Sequence, residues 1–264
     1  MDAGIQRHLL DYLPLWGIFL LTIGLCLLSV AGGFQVGKRW KQRHPDEERT
    51  DIGSMLGATL GLWAFLLAFL VSMATSRFDV RRSLVVQEAN SIGTTYLRAG
   101  YLLEPYASES RNLLEDYATS RKALDKIDGF LIANDSALDF HARLWNLAQE
   151  MATNSPSNPI YSIYITSLNE TIDLHTSRIT SLTTDRVPYT IYISMYIIAV
   201  LGLFMLGFHS GMQGKINWVI TVMLILVFST IMMLVIDLDR PWGGLLRVSQ
   251  QPMIDLINSF SSFK

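Results

Sequence analysis

Residues 54–95 read SMLGATLGLWAFLLAFLVSMATSRFDVRRSLVVQEANSIGTT. The apolar part passes without a proline or a turn signal into Arg77, Asp79, Arg81, Arg82, Glu88 and Asn90. About 20 apolar residues suffice to cross a bilayer, and a backbone in hydrocarbon must satisfy its own hydrogen bonds, which a single segment does only as a helix. The stretch therefore predicts one helix that leaves the hydrocarbon layer and continues, charged, outside it. This excludes most soluble-enzyme architectures and places the polar chemistry at the membrane exit.

Half of the 264 residues are hydrophobic and 17% are charged. The apolar residues are bunched, and the bunches predict four spans at about 13–36, 52–75, 188–208 and 216–236. The first is too long for a signal-peptide core of about 7–15 residues. The residues before it carry Arg7 balanced by Asp2 and Asp11, and Trp16 and Trp40 bracket it as interfacial anchors do. It is expected to be a retained transmembrane helix. The predicted fold is an all-α membrane protein: four transmembrane helices plus a helical extramembrane domain inserted between spans two and three. Its expected divisions are a first helix pair in 1–76, the helical domain in 77–187 continuous with span two, a second helix pair in 188–238, and an amphipathic C-terminal tail in 239–264. Four spans put both termini and the inserted domain on one side of the membrane. A net charge of −2 offers no basic surface for nucleic acid. Cys26, the single cysteine, cannot form an intrachain disulfide.

Within the inserted domain, Glu104-Pro105 is expected to break the extension of span two. Leu113, Leu114, Tyr117, Leu124 and Ile127 give an apolar stripe to a helix over about 108–130. The cluster Asn134-Asp135-Ser136 offers N-caps for a third helix over 137–151. Asn154 to Pro159 reads as a loop, and a fourth helix over 160–184 leads through Pro188 into span three.

Two features invite a functional reading. Gly53, Gly57, Gly61, Ala64, Ala68 and Ser72 form a row of small residues on one face of span two. Such rows let helices approach closely, so the row serves tight packing, the lining of a passage around a symmetry axis, or both. Charged residues cluster where spans two and four end: Arg77, Asp79, Arg81, Arg82 and Glu88 on one, Asp237, Asp239 and Arg240 on the other. Charges next to hydrocarbon are costly unless paired or hydrated. They are expected either as anchors and structural pairs, with Arg77 or Arg81 meeting Asp237 or Asp239, or as a collar at a pore mouth. Asp239-Arg240-Pro241-Trp242-Gly243-Gly244 ends span four sharply, and Leu245, Leu246, Val248, Met253, Ile254 and Ile257 then form an amphipathic tail for the interface or the bundle. No catalytic motif, metal site or cofactor is predicted. The histidines at 8, 44, 141, 175 and 209 have no zinc spacing, and there is no phosphate-binding glycine loop or nucleophile elbow.

Three blocks carry a resemblance: residues 60–105, the segment SLNETIDLHTSRITSLTTDRVP over 167–188, and IDLDRPWGGLLRVSQQPM near the end. They resemble a family of bacterial bestrophin-like membrane proteins. The matching positions are Arg77, Phe78, Asp79, Arg81, Arg82, Glu88, Asn90, Thr94, Arg98, Asn169, Asp173, Arg178, Asp239, Arg240, Pro241 and Gly244. A more distant similarity to true bestrophins implies a four-span protomer with a helical cytosolic domain, assembled as a pentameric anion channel. Bestrophins line their neck with bulky hydrophobic residues on the second span, whereas the interior face expected here is glycine and alanine. The resemblance implies an integral protein of the bacterial inner membrane, a homo-oligomer that passes small ions such as chloride. The alternative is a non-conducting scaffold or sensor whose helical domain binds a protein partner. Orientation has two opposed indications. Lys38, Arg39, Lys41, Arg43 and Arg49 in the first short loop would place that loop in the cytoplasm, while the bestrophin resemblance places the helical domain there, and the second is the orientation expected.

Overall fold

The computed structural model describes residues 11–44, 52–122, 127–155 and 157–263. Asp2, Arg7, His8, Asp46, Glu47, Glu48, Arg49 and Leu124 lie outside them, as does the side chain of Ile127. The described residues form helices and no strand: α1 (Leu15–Arg43), α2 (Ile52–Ala99), α3 (Tyr106–Arg121), α4 (Ile127–Asn154), α5 (Pro159–Thr183), α6 (Tyr189–Gln213), α7 (Trp218–Asp239) and α8 (Gln251–Ser259). The chain is an all-α membrane protein, and α1, α2, α6 and α7 are long and apolar enough to cross a bilayer. It divides into two units, and the boundary falls inside α2, between Ser76 and Arg77.

The membrane unit contains α1, α2 up to Ser76, α6 and α7. Its tightest contact is glycine against backbone. A Cβ built on Gly33 or Gly37 of α1 would stand 2.0 or 2.2 Å from the carbonyl oxygens of Phe204 and Phe208. On α6, a Cβ at Gly207 or Gly211 would stand 2.1 or 2.3 Å from those of Val30 and Phe34. Both helices thus place glycines four residues apart at the same crossing, the small-residue pairing that brings transmembrane backbones together. Polar side chains add to the seam: Thr22 Oγ1 and Tyr196 OH lie 2.8 Å apart, and Ser29 Oγ donates to the Val200 carbonyl at 2.6 Å. On α2, Leu56, Trp63, Leu67, Leu70 and Ala74 are buried, and the Trp63 ring lies 4.5 Å from that of Phe228 on α7. Gly214, at φ 75°, ends α6 in the left-handed conformation that glycine adopts without steric cost.

The helical unit contains α2 from Arg77, α3, α4, α5 and the chain from Pro241. Its core joins Ile92, Tyr96 and Ala99 of α2 to Leu114 and Tyr117, Leu144 and Met151, and Tyr164 and Leu168. Two expected boundaries are corrected. The helix expected over 108–130 ends at Arg121, and α4 begins at Ile127, ahead of the cap cluster at 134–136. That cluster lies inside α4, because Ser136 Oγ donates back to the Ile132 carbonyl at 2.9 Å instead of capping a new helix. The Asn158 side chain does cap: its Oδ1 accepts the Ile160 N–H at 3.0 Å, and Pro159 follows at the first helical position. The tail joins this unit through α8, where Met253 is buried, and through the turn after it, where Phe260 packs on Tyr96 at 4.3 Å.

The glycine crossing yields a test. Gly33→Ala or Gly207→Ala drives a methyl into a carbonyl and is expected to cost about 2 kcal/mol or more. Gly24→Ala, where a Cβ meets nothing within 4 Å, is expected to be neutral. Thermal unfolding of the detergent-solubilised protein reads both, and equal midpoints for Gly33→Ala and Gly24→Ala would refute the crossing.

Candidate functional site: a buried ion cluster and two faces of α2

In the helical unit α2, α3, α4 and α5 each bury a stripe, and each stripe carries an ionisable residue among apolar ones. On α2 it is Glu88, between Val85 and Ile92; on α3, Arg121, a turn after Leu114 and Tyr117; on α4, His141, between Ala137 and Leu144; on α5, His175 and Arg178, after Leu168 and Thr171. The shared stripes bring these groups together. Glu88 is wholly buried. Its Oε1 accepts from Tyr117 OH and from Arg121 Nε, both at 2.8 Å. Its Oε2 accepts from Arg178 Nη1, and Arg178 Nη2 donates to the side-chain carbonyl of Gln250 in the tail. Tyr117 OH lies 3.4 Å from His175 Nδ1, and the His141 and His175 rings stand 4.7 Å apart, edge to face.

The electrostatics follow from this geometry. Burial pushes the Glu88 carboxyl up, but the charges of Arg121 and Arg178 and hydrogen bonds from Arg178 and Tyr117 override it and hold the group at about 2. Burial, reinforced by Arg121, lowers His141 to about 4 and His175 to about 3, so both are neutral near pH 7. Burial and the neighbouring Glu88 raise the Tyr117 phenol well above its ordinary value. One carboxylate thus serves two guanidinium groups, with neutral rings around them. Among the described residues no group of three or more histidine, cysteine, aspartate or glutamate side chains could hold a metal ion.

The residues singled out from sequence fall in both units. Glu88 belongs to the buried cluster. Arg77 Nη1 meets Asp185 at 2.7 Å, an acid that the spacing did not point to. Arg81 and Asp237 are buried. Asp239, also buried, accepts the Val187 N–H at 2.8 Å, and Arg240 Nη2 donates to the Leu13 carbonyl at 2.7 Å. Asp79 and Arg82 are exposed. Within the helical unit, helical phase, at about 100° per residue, sets Asp79 and Arg82 on one side of α2 and Arg77 and Arg81 on the opposite side. The small-residue row itself, Gly53, Gly57, Gly61, Ala64, Ala68 and Ser72, is exposed throughout. Beside it Leu62, Phe65 and Phe69 are also exposed, at 60, 63 and 65%, a bulky row that the sequence reading did not single out. Arg121, His141 and His175 were missed too; the available signal was an ionisable residue in register with an apolar stripe.

These features define a class: a four-span helical membrane protein whose second span runs on into a helical unit centred on a buried carboxylate–arginine cluster. The profile of the bestrophin-like domain matches residues 24–253, and the chain belongs to that family. Similar solved structures include two of a bacterial bestrophin homologue from Klebsiella pneumoniae. One, a single-site variant, shares 16% identity at a TM-score of 0.66 and covers 92% of this chain and 96% of its own. The other, phased on zinc, shares 16% at 0.63 and covers 92% and 95%. A further crystal structure, of a membrane protein variant, shares 16% at 0.66 over 92% and 95%. At this identity the likeness is one of fold. No curated protein sequence matches the chain.

The cluster makes two predictions. Glu88→Gln leaves two buried guanidinium groups without their carboxylate and is expected to cost about 3–5 kcal/mol, read as a fall in the thermal midpoint. The histidines set the acid response. Their folded values lie below the unfolded value of about 6.5, so the unfolded chain binds more protons and stability falls as pH drops from 6.5 toward 4 and 3. The Glu88 contribution, complete above the ordinary carboxyl value, goes later, as pH falls toward about 2. His175→Asn is expected to flatten the midpoint-versus-pH curve between 6.5 and 5; an unchanged slope would count against the buried neutral ring.

Proposed function

We propose that the chain is one subunit of a homo-oligomeric channel of the bacterial inner membrane, passing small anions such as chloride, with α2 lining the passage. One observation carries this reading: the small-residue face of α2 finds no cover among the described residues of its own chain. A Cβ at Gly57 or Gly61 would meet nothing described within 4 Å, whereas Gly33 and Gly37 of α1 and Gly207 and Gly211 of α6 are spent on each other's helix. A scaffold that used this row to pack its own helices would bury it. Ala64 and Ala68 also border an apolar groove with Val227, Phe228 and Ile231, a surface suited to a helix of a neighbouring copy. Family membership supports the assignment, and the bestrophin analogy supplies the pentamer and the cytosolic placement of the helical unit.

The phase of α2 revises which charges serve the mouth. Arg82, exposed on the side of α2 opposite Arg77 and Arg81, is the residue that raises the local anion concentration, with Asp79 one turn before it. Arg77, tied to Asp185, is structural. In proteoliposomes, Arg82→Glu is expected to lower chloride relative to cation permeability by roughly five-fold, while Arg77→Ala leaves selectivity unchanged. Gly61→Leu is expected to reduce flux without lowering the thermal midpoint. A monomer by native mass measurement, or a folded oligomer that passes no ions, would instead favour the non-conducting scaffold or sensor.

A further inference from the structure

We propose that the loop following α7, from Pro241 to Gln250, carries a binding site for the headgroup of an anionic phospholipid. A pocket in the helical unit is lined by Arg81, Arg178, Arg247 and Gln250, together with Gly243 and Gly244, and no acidic residue is among the described residues that line it. The three arginines differ in how firmly they are held. Arg178 is fixed in the floor by Glu88 and Gln250. Arg81 is buried to 3% exposure. Arg247, exposed, is anchored through Nε to the Gly244 carbonyl at 3.2 Å. Gly243, at φ 83°, turns the chain there and is exposed, and without a side chain it leaves its backbone open to an anion. Guanidinium groups suit a phosphate because they donate two parallel hydrogen bonds to it.

The lipid source rests on a second observation. Leu245 and Leu246, next to Arg247, are 77 and 41% exposed, and their loop directly follows a membrane-spanning helix. Two bare leucines beside an arginine are unfavourable in water, but they fit a membrane interface, where the leucines enter the acyl boundary and the arginine meets the phosphate layer. Free phosphate would satisfy the arginines and leave the leucines in water. The site is independent of whether the protein conducts.

The test uses the full chain in neutral detergent, titrated with phosphatidylglycerol, with phosphatidylcholine and with inorganic phosphate, read by thermal midpoint and by native mass spectrometry. Phosphatidylglycerol is expected to bind and raise the midpoint, and the other two are not. Arg247→Gln, at an exposed position that the fold does not need, is expected to weaken phosphatidylglycerol binding about five-fold. Arg247→Lys keeps most of the binding, and Leu245→Ser weakens it with inorganic phosphate still inert. Undiminished binding in Arg247→Gln, or an equal response to phosphatidylcholine or to inorganic phosphate, overturns the proposal.

Discussion

The helical unit depends on one carboxylate. Glu88 is buried with two arginines, and a buried charge is tolerated only when paired and hydrogen-bonded. The pairing fixes geometry as well as charge. Glu88 takes Tyr117 and Arg121 from α3 on one oxygen and Arg178 from α5 on the other, and Arg178 reaches on to Gln250 in the tail. An apolar core of similar volume could be as stable, since ion pairs gain little net energy when buried. What it would lack is direction. Leucines slide past each other by a turn at modest cost, whereas moving Arg121 by a turn strands a guanidinium in the core. The cluster therefore fixes the register of α3 and α5 against α2.

Much of this was legible in the sequence because the signals concerned are local. Apolar runs of bilayer length gave the four spans, and the lack of any proline between Ser72 and Arg98 gave the continuity of α2. The loop signal ending at Pro159 marked the start of α5 to within a residue, since the Asn158 cap and the N1 proline that form it act within one turn. The cluster Asn134-Asp135-Ser136 misled for the same reason. A serine can cap a helix or bond back to the preceding turn, and the chain to its N-terminal side decides which. Here that chain was already helical from Ile127.

The glycines and charges show where local reading stops. Gly33 and Gly37, Gly207 and Gly211, and Gly57 and Gly61 share one spacing. Only the first two pairs meet each other; the third stays uncovered. Spacing says that a helix can be approached closely but not by what. In the same way spacing puts Arg77 and Arg81 on one face and turns Asp79 and Arg82 elsewhere, but it does not say which face is buried. Arg81 turns into the buried side and Arg82, one residue on, faces out. The apolar stripe of α2 in the helical unit carries that information, because Arg81, Val85 and Glu88 continue one buried line.

That line explains why α2 can serve two demands at once. A helix that builds a core on one side and is open on the other needs two surfaces with opposite requirements. The buried surface has to be chemically specific, and it carries Trp63, Arg81, Glu88 and Tyr96, each large or charged and each costly to replace. The open surface has to be permissive, and in the span it carries glycine, alanine and serine. Substitutions on the first surface act through folding, while those on the second leave the packing of the protomer undisturbed. A charge on the open surface, as at Arg82, is free of the core's constraints, whereas the charge at Glu88 is committed to structure.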